Sequence, residues 1–557
     1  MRFFFIRTLL IFLLFIILIR LFYWQVIRKD DLTVRAEQQH FDSYKVLAKR
    51  GGILFTDRST LVSNKPIYLL FAEPKIISNK DKQMIAKKLN EFFQDENDYL
   101  EPLVRDLYWV PLKRNIDIES KKKIEELKLP GVGFEQSYTR FYPEGSSSAS
   151  LLGFVGSDSK GDPTGYFGLE GAYNGELRGI GGNITQEKGP LGIPLLIGRF
   201  LGSSGQDGNN LELNLDRVVQ FITESSLKKG IEKYGAKSGS VVIMEPATGN
   251  IVAMASFPNY DPAEYDLYPK EYYRNTVVAD SYEPGSTFKV LTMASAINEN
   301  LVTPDTICDI CSGPIEIGGF TIKTWNGKYY ENTTLKDVII HSDNTGMVYV
   351  AKKLGVDKFY SYIENFGMGN LTNIDLQDES SPDLRPKSAW REIDLATASF
   401  GQGIAVTPIQ MVRAVSTIAN GGNLMEPHLV KKISGESELY EIRPKVVRQV
   451  ISESTAKIVT EMMVAAVEEG EAKVFVPKGF KIAGKTGTAQ IPVAGHYDPT
   501  KTIASFVGFA PAHDPKFVML VVYNQPSSSI FGSETAAPTF FEIAKQLFPY
   551  YKIAPTE

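Results

Sequence analysis

Apolar residues dominate the start of the chain far more than any later stretch. The run T-L-L-I-F-L-L-F-I-I-L-I at 8–19 continues through Arg20 into L-F-Y-W-Q-V-I. These are about 20 largely apolar residues, enough for one helix to cross a bilayer. Arg20 lies near one end and can reach the interface, which the aromatic residues at 22–24 also favour. Bulky residues follow the run where signal-peptide cleavage requires small ones, so we expect an uncleaved anchor.

The rest of the chain divides by pattern into two regions. Residues 30–210 mix strand and helix patterns, and from Gly145 to Asn210 they are dense in glycine and serine. This composition predicts long irregular or hairpin-like segments. From residue 211 the patterns become regular. We therefore expect an anchor with a short cytoplasmic tail at 1–29, an N-terminal region at 30–210 and a larger domain at 211–557.

Five apolar strand patterns lie at the two ends of the larger domain. Two of them, S-V-V-I-M and I-V-A-M-A-S, flank a turn within 240–256, and three lie near the C-terminus: K-I-A-G-K-T-G-T-A-Q, I-A-S-F-V-G-F-A and F-V-M-L-V-V-Y. Helical patterns fill much of 286–470, and A-A-P-T-F-F-E-I-A-K-Q-L-F closes the chain. Strands from both ends with helices between them predict an α+β domain whose sheet forms by long-range pairing.

Composition narrows the functional classes. The 557 residues are 43% hydrophobic and 22% charged, with a net charge of -5, so nucleic acid is not an expected partner. Cys308 and Cys311 are the two cysteines, and the five histidines are scattered, so we expect no zinc site and no cofactor. The cysteines form either a local disulfide or two free thiols.

The stretch Y-E-P-G-S-T-F-K at 282–289 places Ser286 behind a proline and a glycine and three positions before Lys289. The following residues favour a helix, so we expect Ser286 to begin it and to share a face with Lys289. The same spacing also begins at Ser120, Ser157, Ser225 and Ser454, where a solvated lysine is the expected interpretation. The motif gains meaning only from its surroundings.

Two further motifs follow in order, Ser342-Asp343-Asn344 and Lys485-Thr486-Gly487-Thr488. A serine hydroxyl is a poor nucleophile near neutral pH and needs a base, which a lysine becomes when burial or a neighbouring cation lowers its pKa. Lys289 fits that demand if Lys485 lies nearby. Ser342 can relay a proton to the leaving group, and Asn344 can bind a substrate amide and hold Lys289. The near-copy Lys237-Ser238-Gly239 lies upstream and is expected to be a strand entry.

Taken together, S-x-x-K, S-x-N and K-T-G in this order resemble the motif set of penicillin-binding proteins and serine β-lactamases. Longer stretches resemble class B penicillin-binding proteins: S-G-S-V-V-I-M-E-P-A-T-G-N, S-F-G-Q-G-I-A-V-T-P-I-Q-M, R-G-G-I-L-F-T-D-R, R-F-Y-P and G-L-E-G-A-Y. Y-E-P-G-S-T-F-K and K-T-G-T-A-Q are most similar to the division-specific, septal type. Two residues depart from the family pattern. Thr60 stands in a turn that usually carries glycine, and Asp343 stands where many division enzymes have serine.

The resemblance implies a transpeptidase domain with an antiparallel five-stranded sheet flanked by helices, on an elongated pedestal (dimerisation) domain. It implies that Ser286 forms the acyl-enzyme, with Lys289, Ser342, Asn344 and Lys485 as the other catalytic residues. The backbone N–H groups of Ser286 and Thr488 would form the oxyanion hole. Thr486, Gly487 and Thr488 would bind the substrate, with the two threonines holding its terminal carboxylate.

The expected activity is a peptidoglycan D,D-transpeptidase that joins donor and acceptor stem peptides and is acylated by β-lactams. A single-pass anchor would place its catalytic domain outside the cytoplasmic membrane, with a glycosyltransferase of the shape, elongation, division and sporulation (SEDS) family and other division proteins as partners. The alternatives are an elongation-type transpeptidase, a D,D-carboxypeptidase or β-lactamase, a β-lactam sensor and a non-catalytic scaffold. No E-x-x-L-N follows Ser342 before Lys485 and no H-E-x-x-H occurs, which disfavours one lactamase class and the zinc-protease sensors.

Overall fold

The computed structural model describes residues 1–33, 41–46, 48–159, 161–187, 200–203, 205–436, 439–493 and 496–555. Part of the glycine- and serine-rich stretch before residue 210 lies outside these residues. The chain forms two compact units, one of Met1–Arg50 with Arg178–Gly208 and one of Gly51–Leu177 with Asn209–Glu557.

Strands and helices are numbered here in chain order. The strands are β1 Phe41–Val46, β2 Ile53–Leu54, β3 Thr60–Ala72, β4 Val110–Ile116, β5 Val132–Phe141, β6 Phe154–Ser157, β7 Pro163–Tyr166, β8 Gly182–Glu187, β9 Phe200–Ser203, β10 Asn210–Leu213, β11 Ser238–Met244, β12 Ile251–Phe257, β13 Ile315–Ile317, β14 Phe320–Ile322, β15 Asn423–Met425, β16 Val430–Ser434, β17 Leu439–Glu441, β18 Val446–Gln449, β19 Ala483–Val493, β20 His496–Ala510 and β21 Phe517–Asn524. The α-helices are α1 Arg2–Phe22, α2 Asn79–Phe93, α3 Leu100–Val104, α4 Ile118–Glu126, α5 Ala149–Leu152, α6 Gly168–Ala172, α7 Asn174–Leu177, α8 Arg217–Tyr234, α9 Thr276–Ala279, α10 Lys289–Asn298, α11 Leu335–Ile340, α12 Asn344–Asn365, α13 Glu392–Ala398, α14 Pro408–Ala419, α15 Glu453–Glu468 and α16 Ala536–Tyr550.

The first unit contains the apolar N-terminal helix. Helix α1 runs into a π-helical turn at Tyr23–Ile27, and Arg2–Ile27 is long and apolar enough to cross a membrane. Its side chains are exposed along its length, as a lipid-facing helix requires. Strands β1, β8 and β9 of this unit form an antiparallel sheet.

The N-terminal part of the second unit is built on the long strand β3. It belongs to a seven-stranded sheet. Six strands follow the order β17-β16-β10-β2-β3-β4, and the seventh, β5, also pairs with β3. Strands β2 and β10 are parallel. Strands β16 and β17 come from far downstream, so this sheet joins residues on both sides of position 211. A buried ion pair connects the R-F-Y-P and G-L-E-G-A-Y stretches, because Arg140 Nε donates to Glu170 Oε1 at 2.8 Å.

The predicted five-stranded sheet is confirmed. Its order is β12-β11-β21-β20-β19, and every neighbouring pair is antiparallel. Helices α8 and α16 cover one face and α14 packs on the other, which explains why central β21 is buried and apolar at nearly every position. Strand β19, which carries the Lys485 motif, lies at the edge.

Helix α10 lies in the middle of the helical part of this unit. Residues Lys289 to Ile297 are all buried, in contact with α12 and α15. An apolar helix with no exposed face is typical of a buried position. It therefore fixes the residues at its N-terminus firmly.

Two expectations are refined by the structure. Ser286 lies in a 3₁₀ turn, Gly285–Phe288, and the α-helix begins only at Lys289. Gly285 has a φ of 55°, so the helix cannot extend back through it. Cys308 and Cys311 form a disulfide, the first of the two alternatives for the pair. Ser238 begins β11, so the near-copy motif is the expected strand entry.

Candidate active site

The turn before α10 presents Ser286 above Lys289. A 3₁₀ turn has three residues per turn, so residues three apart lie one above the other. The turn is stabilised by the buried Thr287, whose hydroxyl donates to the Pro284 carbonyl at 2.8 Å. Ser286 is partly exposed, whereas the Lys289 side chain is 0% exposed. The tighter turn preserves the shared face expected for an α-helix.

Lys289 Nζ donates to three oxygens at the start of α12. They are the Ser342 carbonyl at 2.6 Å, the Ser342 hydroxyl at 3.3 Å and Asn344 Oδ1 at 2.7 Å. An ammonium has three donors, which these contacts use. A neutral amine keeps two donors and gains a lone pair, so Lys289 can stay anchored on the carbonyl and the amide while it accepts a proton.

Ser342 stands between α11 and α12 in a conformation that few non-glycine residues adopt. Its φ is 55°, which costs on the order of 1–2 kcal/mol for a residue with a Cβ. Asp343 offsets this cost as the N-cap of α12, because its carboxylate accepts from the Thr345 N–H at 2.7 Å and the Gly346 N–H at 3.4 Å. Asp343 is thus a helix cap as well as a departure from the septal pattern.

Asn344 has its amide orientation set from both ends. Oδ1 accepts from Lys289, and Nδ2 donates to the Lys323 carbonyl at 3.0 Å. Because the oxygen must face Lys289, the amide group is not free to rotate.

Lys485 reaches the same cluster from the edge strand β19. Its Nζ donates to the Ser342 hydroxyl at 3.0 Å and to the Thr486 hydroxyl at 3.2 Å. Burial alternates along the strand as expected, with Lys485 buried and Thr486 partly exposed. Neighbouring residues of a strand point to opposite faces, but the long lysine side chain bends back to the threonine hydroxyl.

Both lysines are buried, and burial is the main cause that lowers the pKa of each. The pKa of Lys289 lies well below its ordinary value, mainly because the group is buried and secondly because of the charge of Lys485. The carboxylates of Asp343 and Glu471 oppose this shift. Burial lowers the pKa of Lys485 to about 8, again opposed by Glu471. Lys289 is therefore the group that more readily gives up its charge, while Lys485 keeps a proton below that pH.

Strand β19 approaches the nucleophile turn closely because two glycines allow it. A Cβ on Gly487 would lie 2.8 Å from Thr287 Cγ2, and a Cβ on Gly285 would lie 3.0 Å from the Thr488 carbonyl oxygen. That carbonyl points towards the turn. In antiparallel strands the N–H and C=O of one residue point the same way, so the Thr488 N–H faces the nucleophile turn too.

The outer side of β19 is held by the segment that precedes α16. The Gly532 N–H donates to the Thr488 hydroxyl at 3.0 Å. Next to it, the Phe531 ring meets the Trp325 ring edge to face, with centroids 5.6 Å apart. Trp325 belongs to the loop whose Lys323 carbonyl holds Asn344. This contact therefore joins the two sides of the site.

The structure brings together the residues singled out in the sequence: Ser286, Lys289, Ser342, Asn344, Lys485, Thr486, Gly487 and Thr488. Sequence reasoning missed Asp343 as a cap and Glu283 as a partner of the hairpin that follows Thr488. The carboxylate inside Y-E-P-G-S was the available signal for Glu283. Within the described residues, no group of three or more His, Cys, Asp or Glu side chains could hold a metal ion.

The geometry groups a partly exposed serine with two buried lysines, one of them on an edge strand, and these are the side-chain types that serine acyl-transfer chemistry uses. Two family models match the chain. The penicillin binding protein transpeptidase domain matches residues 239–545, and the penicillin-binding protein dimerisation domain matches residues 45–213.

Two named relatives cover nearly the whole chain. Stage V sporulation protein D of Bacillus subtilis is 34% identical over 546 residues, 96% of this chain and 83% of the relative. Peptidoglycan D,D-transpeptidase FtsI of Escherichia coli is 30% identical over 548 residues, 96% of this chain and 89% of the relative. The chain therefore belongs to the family of penicillin-binding protein transpeptidases.

Solved structures agree on the fold. A peptidoglycan synthetase from Bifidobacterium adolescentis has a TM-score of 0.75 at 26% identity and covers 93% of this chain and 98% of its own. Penicillin Binding Protein 2X from Streptococcus thermophilus has a TM-score of 0.77 at 24% identity and covers 92% of this chain and 81% of its own.

Proposed function

We propose that the chain is a peptidoglycan D,D-transpeptidase in which Ser286 forms the acyl-enzyme. The observation that supports it most is the buried Lys289, held at 2.6 Å from the Ser342 carbonyl and at 2.7 Å from Asn344 Oδ1 with a lowered pKa. As a neutral amine, Lys289 takes the Ser286 proton while Ser286 Oγ attacks the carbonyl carbon of the penultimate D-Ala of the donor. The Ser342 hydroxyl then passes its proton to the departing D-Ala amine and regains one from protonated Lys289, whose Nζ lies 3.3 Å from the hydroxyl oxygen.

The oxyanion hole consists of the backbone N–H groups of Ser286 and Thr488. Two features support it: the Ser286 N–H lies in the turn that begins α10, and the Thr488 peptide faces that turn. The hydroxyls of Thr486 and Thr488 each accept a bond from within the protein, so their O–H groups remain to donate to the donor carboxylate. Protonated Lys485 balances the charge of that carboxylate.

Transfer to an amine, rather than to water, is the favoured second half of the reaction. A hydrolase with the same acylating groups needs a base for the deacylating water, and no E-x-x-L-N lies between Ser342 and Lys485. The acceptor is then an amine of a neighbouring stem peptide. A β-lactam acylates Ser286 in the same way, and the resulting ester is cleaved slowly. The D,D-carboxypeptidase is the second candidate.

The role in the cell is septal wall synthesis, with elongation as the alternative. Relatives named FtsI and PenA are peptidoglycan D,D-transpeptidases, and another is named for stage V of sporulation. The stretches Y-E-P-G-S-T-F-K and K-T-G-T-A-Q, which are most similar to the septal type, support the septal role.

The helix at Arg2–Ile27 anchors the protein once in the cytoplasmic membrane, with the catalytic domain outside. We divide the chain into an anchor at 1–29, a pedestal at 30–210 and a transpeptidase domain at 211–557. Polymerised glycan is supplied by a SEDS-family glycosyltransferase, alongside other division proteins.

Partition between transfer and hydrolysis tests this proposal. The purified full chain is given a thioester mimic of an acyl-D-Ala donor with and without a D-amino acid, and both products are quantified. The exchanged product should dominate in the presence of the amine, and Ser286→Ala should form neither product. Ser454→Ala is the matched control, since Ser454 and Lys457 repeat the spacing on an exposed part of α15. Hydrolysis that the amine does not divert would establish the carboxypeptidase instead.

A further inference from the structure

Glu283, three residues before the nucleophile, joins three separate segments of the site. Its Oε1 accepts from the Gly403 N–H at 3.0 Å, and the Tyr497 hydroxyl lies 3.2 Å from both carboxylate oxygens. We call this set of contacts among Glu283, Gly403 and Tyr497 the Glu283 bridge. It connects the approach to Ser286 with the loop at 399–406 and with the β19–β20 hairpin.

The loop at 399–406 supports the backbone of the nucleophile turn. Tyr282 and Val406 exchange two backbone hydrogen bonds of 2.9 Å, and the Gly285 N–H donates to the Gly401 carbonyl at 3.0 Å. The fit is close, since a Cβ on Gly401 would lie 2.2 Å from the Gly285 carbonyl oxygen. The Glu283–Gly403 bond adds a side-chain contact to this support. Movement of the loop would therefore displace Ser286.

Tyr497 lies near the tip of the hairpin whose first strand carries Lys485, Thr486 and Thr488. The pairing slips within this hairpin, because Gln490 is opposite Thr502 and Ile491 is opposite Asp498. Extra residues on one strand bend a hairpin locally. The bend brings Tyr497 to Glu283, 214 positions away in the sequence.

The bridge is made by partly exposed groups rather than by the core. Tyr497 is 43% exposed, and in the described part of the chain Glu283 has no ion pair. Burial, and next the Glu283 charge, raise the pKa of Tyr497 to about 12. The phenol therefore remains a donor at neutral pH. Because the bridging groups are partly exposed, the bridge can form and break without disturbing the core.

We propose that Glu283 and Tyr497 are positioning residues that hold the hairpin tip, and with it the far end of β19, at the distance from Ser286 that a stem peptide requires. This inference rests on the proposed function, because it assigns the part of β19 beyond Thr488 to the donor peptide. Tyr497 acts on binding alone. Glu283 acts on binding and, through Gly403, on the placement of Ser286.

The test separates the dissociation constant of the complex before acylation, Kd, from the acylation rate constant, k2, for a fluorescent penicillin. Tyr497→Phe should raise Kd about three- to tenfold, as for the loss of one partly exposed hydrogen bond, and leave k2 within about twofold. Glu283→Ala should raise Kd similarly. It should also lower k2 about tenfold, because the Gly403 N–H loses its hydrogen-bond acceptor as well. Glu283→Gln still accepts from Gly403 and pairs with Tyr497, so it should restore k2.

Tyr550→Phe is the matched control, because Tyr550 is 41% exposed and its hydroxyl donates to Asp216 Oδ2 at 2.8 Å, outside the site. It should change neither constant. In the double variant Glu283→Ala with Tyr497→Phe, Kd should equal that of Glu283→Ala, because the hydroxyl has already lost its acceptor.

Unchanged constants in Tyr497→Phe, or effects of the two substitutions that simply multiply, would overturn the bridge. If Glu283→Ala fails to fold, Tyr497→Phe and Glu283→Gln still decide the question. Failure of the proposed function would appear differently, as a wild-type protein that penicillin does not acylate at Ser286. Wild-type labelling at Ser286 together with wild-type constants in every variant would refute the bridge alone.

Discussion

The two sides of the candidate active site, called here its helical wall and its strand wall, hold their polar groups in different ways. The helical wall consists of the turn and helix at Gly285–Asn298 together with Ser342–Asn344. It fixes Lys289 by two buried hydrogen bonds and one partly buried one, and it caps α12 with Asp343. The strand wall, β19 with its hairpin tip, lies at the edge of a sheet, and partly exposed contacts to Gly532 and Glu283 hold it. This difference teaches that the groups proposed to carry out the chemistry are held rigidly on the helical wall, whereas the substrate-binding surface proposed on the strand wall can adjust.

Loss of the base on the helical wall should have the largest effect. Lys289→Met keeps an unbranched side chain but cannot accept a proton, so k2 for penicillin should fall about 10²- to 10⁴-fold. Stopped-flow labelling measures this fall in k2, with Lys457→Met on the exposed side of α15 as the control. A thermal melt close to that of the wild type shows that the variant is folded. Acylation within tenfold of the wild type would remove Lys289 as the base.

The pH dependence of acylation should separate the walls by their lysines. Lys289 must be neutral to act, so k2 should rise with pH through the pKa of Lys289, which burial and the charge of Lys485 hold well below its ordinary value. Lys485 must be charged to bind the carboxylate, so k2/Kd should fall as pH rises through about 8, the pKa of Lys485. Lys485→Arg should lose the alkaline fall, because arginine stays protonated. An alkaline limb that persists in Lys485→Arg would assign it to another group.

On the strand wall, Thr488→Ala should weaken binding more than it slows chemistry. It removes the donor to the substrate carboxylate and the acceptor for the Gly532 N–H at 3.0 Å, but the backbone N–H remains. We expect a rise in Kd of about tenfold with k2 changed less than threefold, and recovery in Thr488→Ser, whose hydroxyl serves both bonds. A fall in k2 without a rise in Kd would place Thr488 on the chemical side of the comparison.

Removal of the α12 cap should affect stability more than acylation. Asp343→Ala should lower the free energy of unfolding by about 1 kcal/mol, and Asp343→Ser should retain most of it. Denaturant titration followed by tryptophan fluorescence measures the change. Equal stability of the alanine and serine variants would show that the cap does not support Ser342.

The disulfide should have the smallest effect on acylation. Cys308 and Cys311 are buried and three positions apart, and the hydrogen bonds of Lys289 go to Ser342 and Asn344 rather than to this loop. Such a short loop contributes about 2 kcal/mol to stability through the unfolded chain. Cys308→Ser with Cys311→Ser should therefore melt at a lower temperature and keep the wild-type k2. Lost labelling of a folded double variant would show that the helical wall depends on this loop.

Local pattern was sufficient to predict much of the fold. The five strands of the catalytic sheet follow from local pattern, because each is an apolar run bounded by turn residues. The grouping of Ser286, Ser342 and Lys485 comes from the resemblance of their three motifs to the set of penicillin-binding proteins. The 3₁₀ turn was not predicted, since Pro284 and Gly285 mark where a helix can begin and not how its first turn is wound. The pairing of β16 with β10 and the Glu283–Tyr497 contact depend on tertiary structure, which no local pattern encodes.

The most direct test of the central claim is the mass of the protein after exposure to penicillin. If Ser286 is the nucleophile, the intact chain should gain the mass of one penicillin, the adduct should last for hours, and digestion should place it on the peptide that contains Ser286. Ser286→Ala should gain no mass, while Ser454→Ala should behave as the wild type. An adduct that persists in Ser286→Ala would contradict the account, and an adduct lost within seconds would identify a hydrolase.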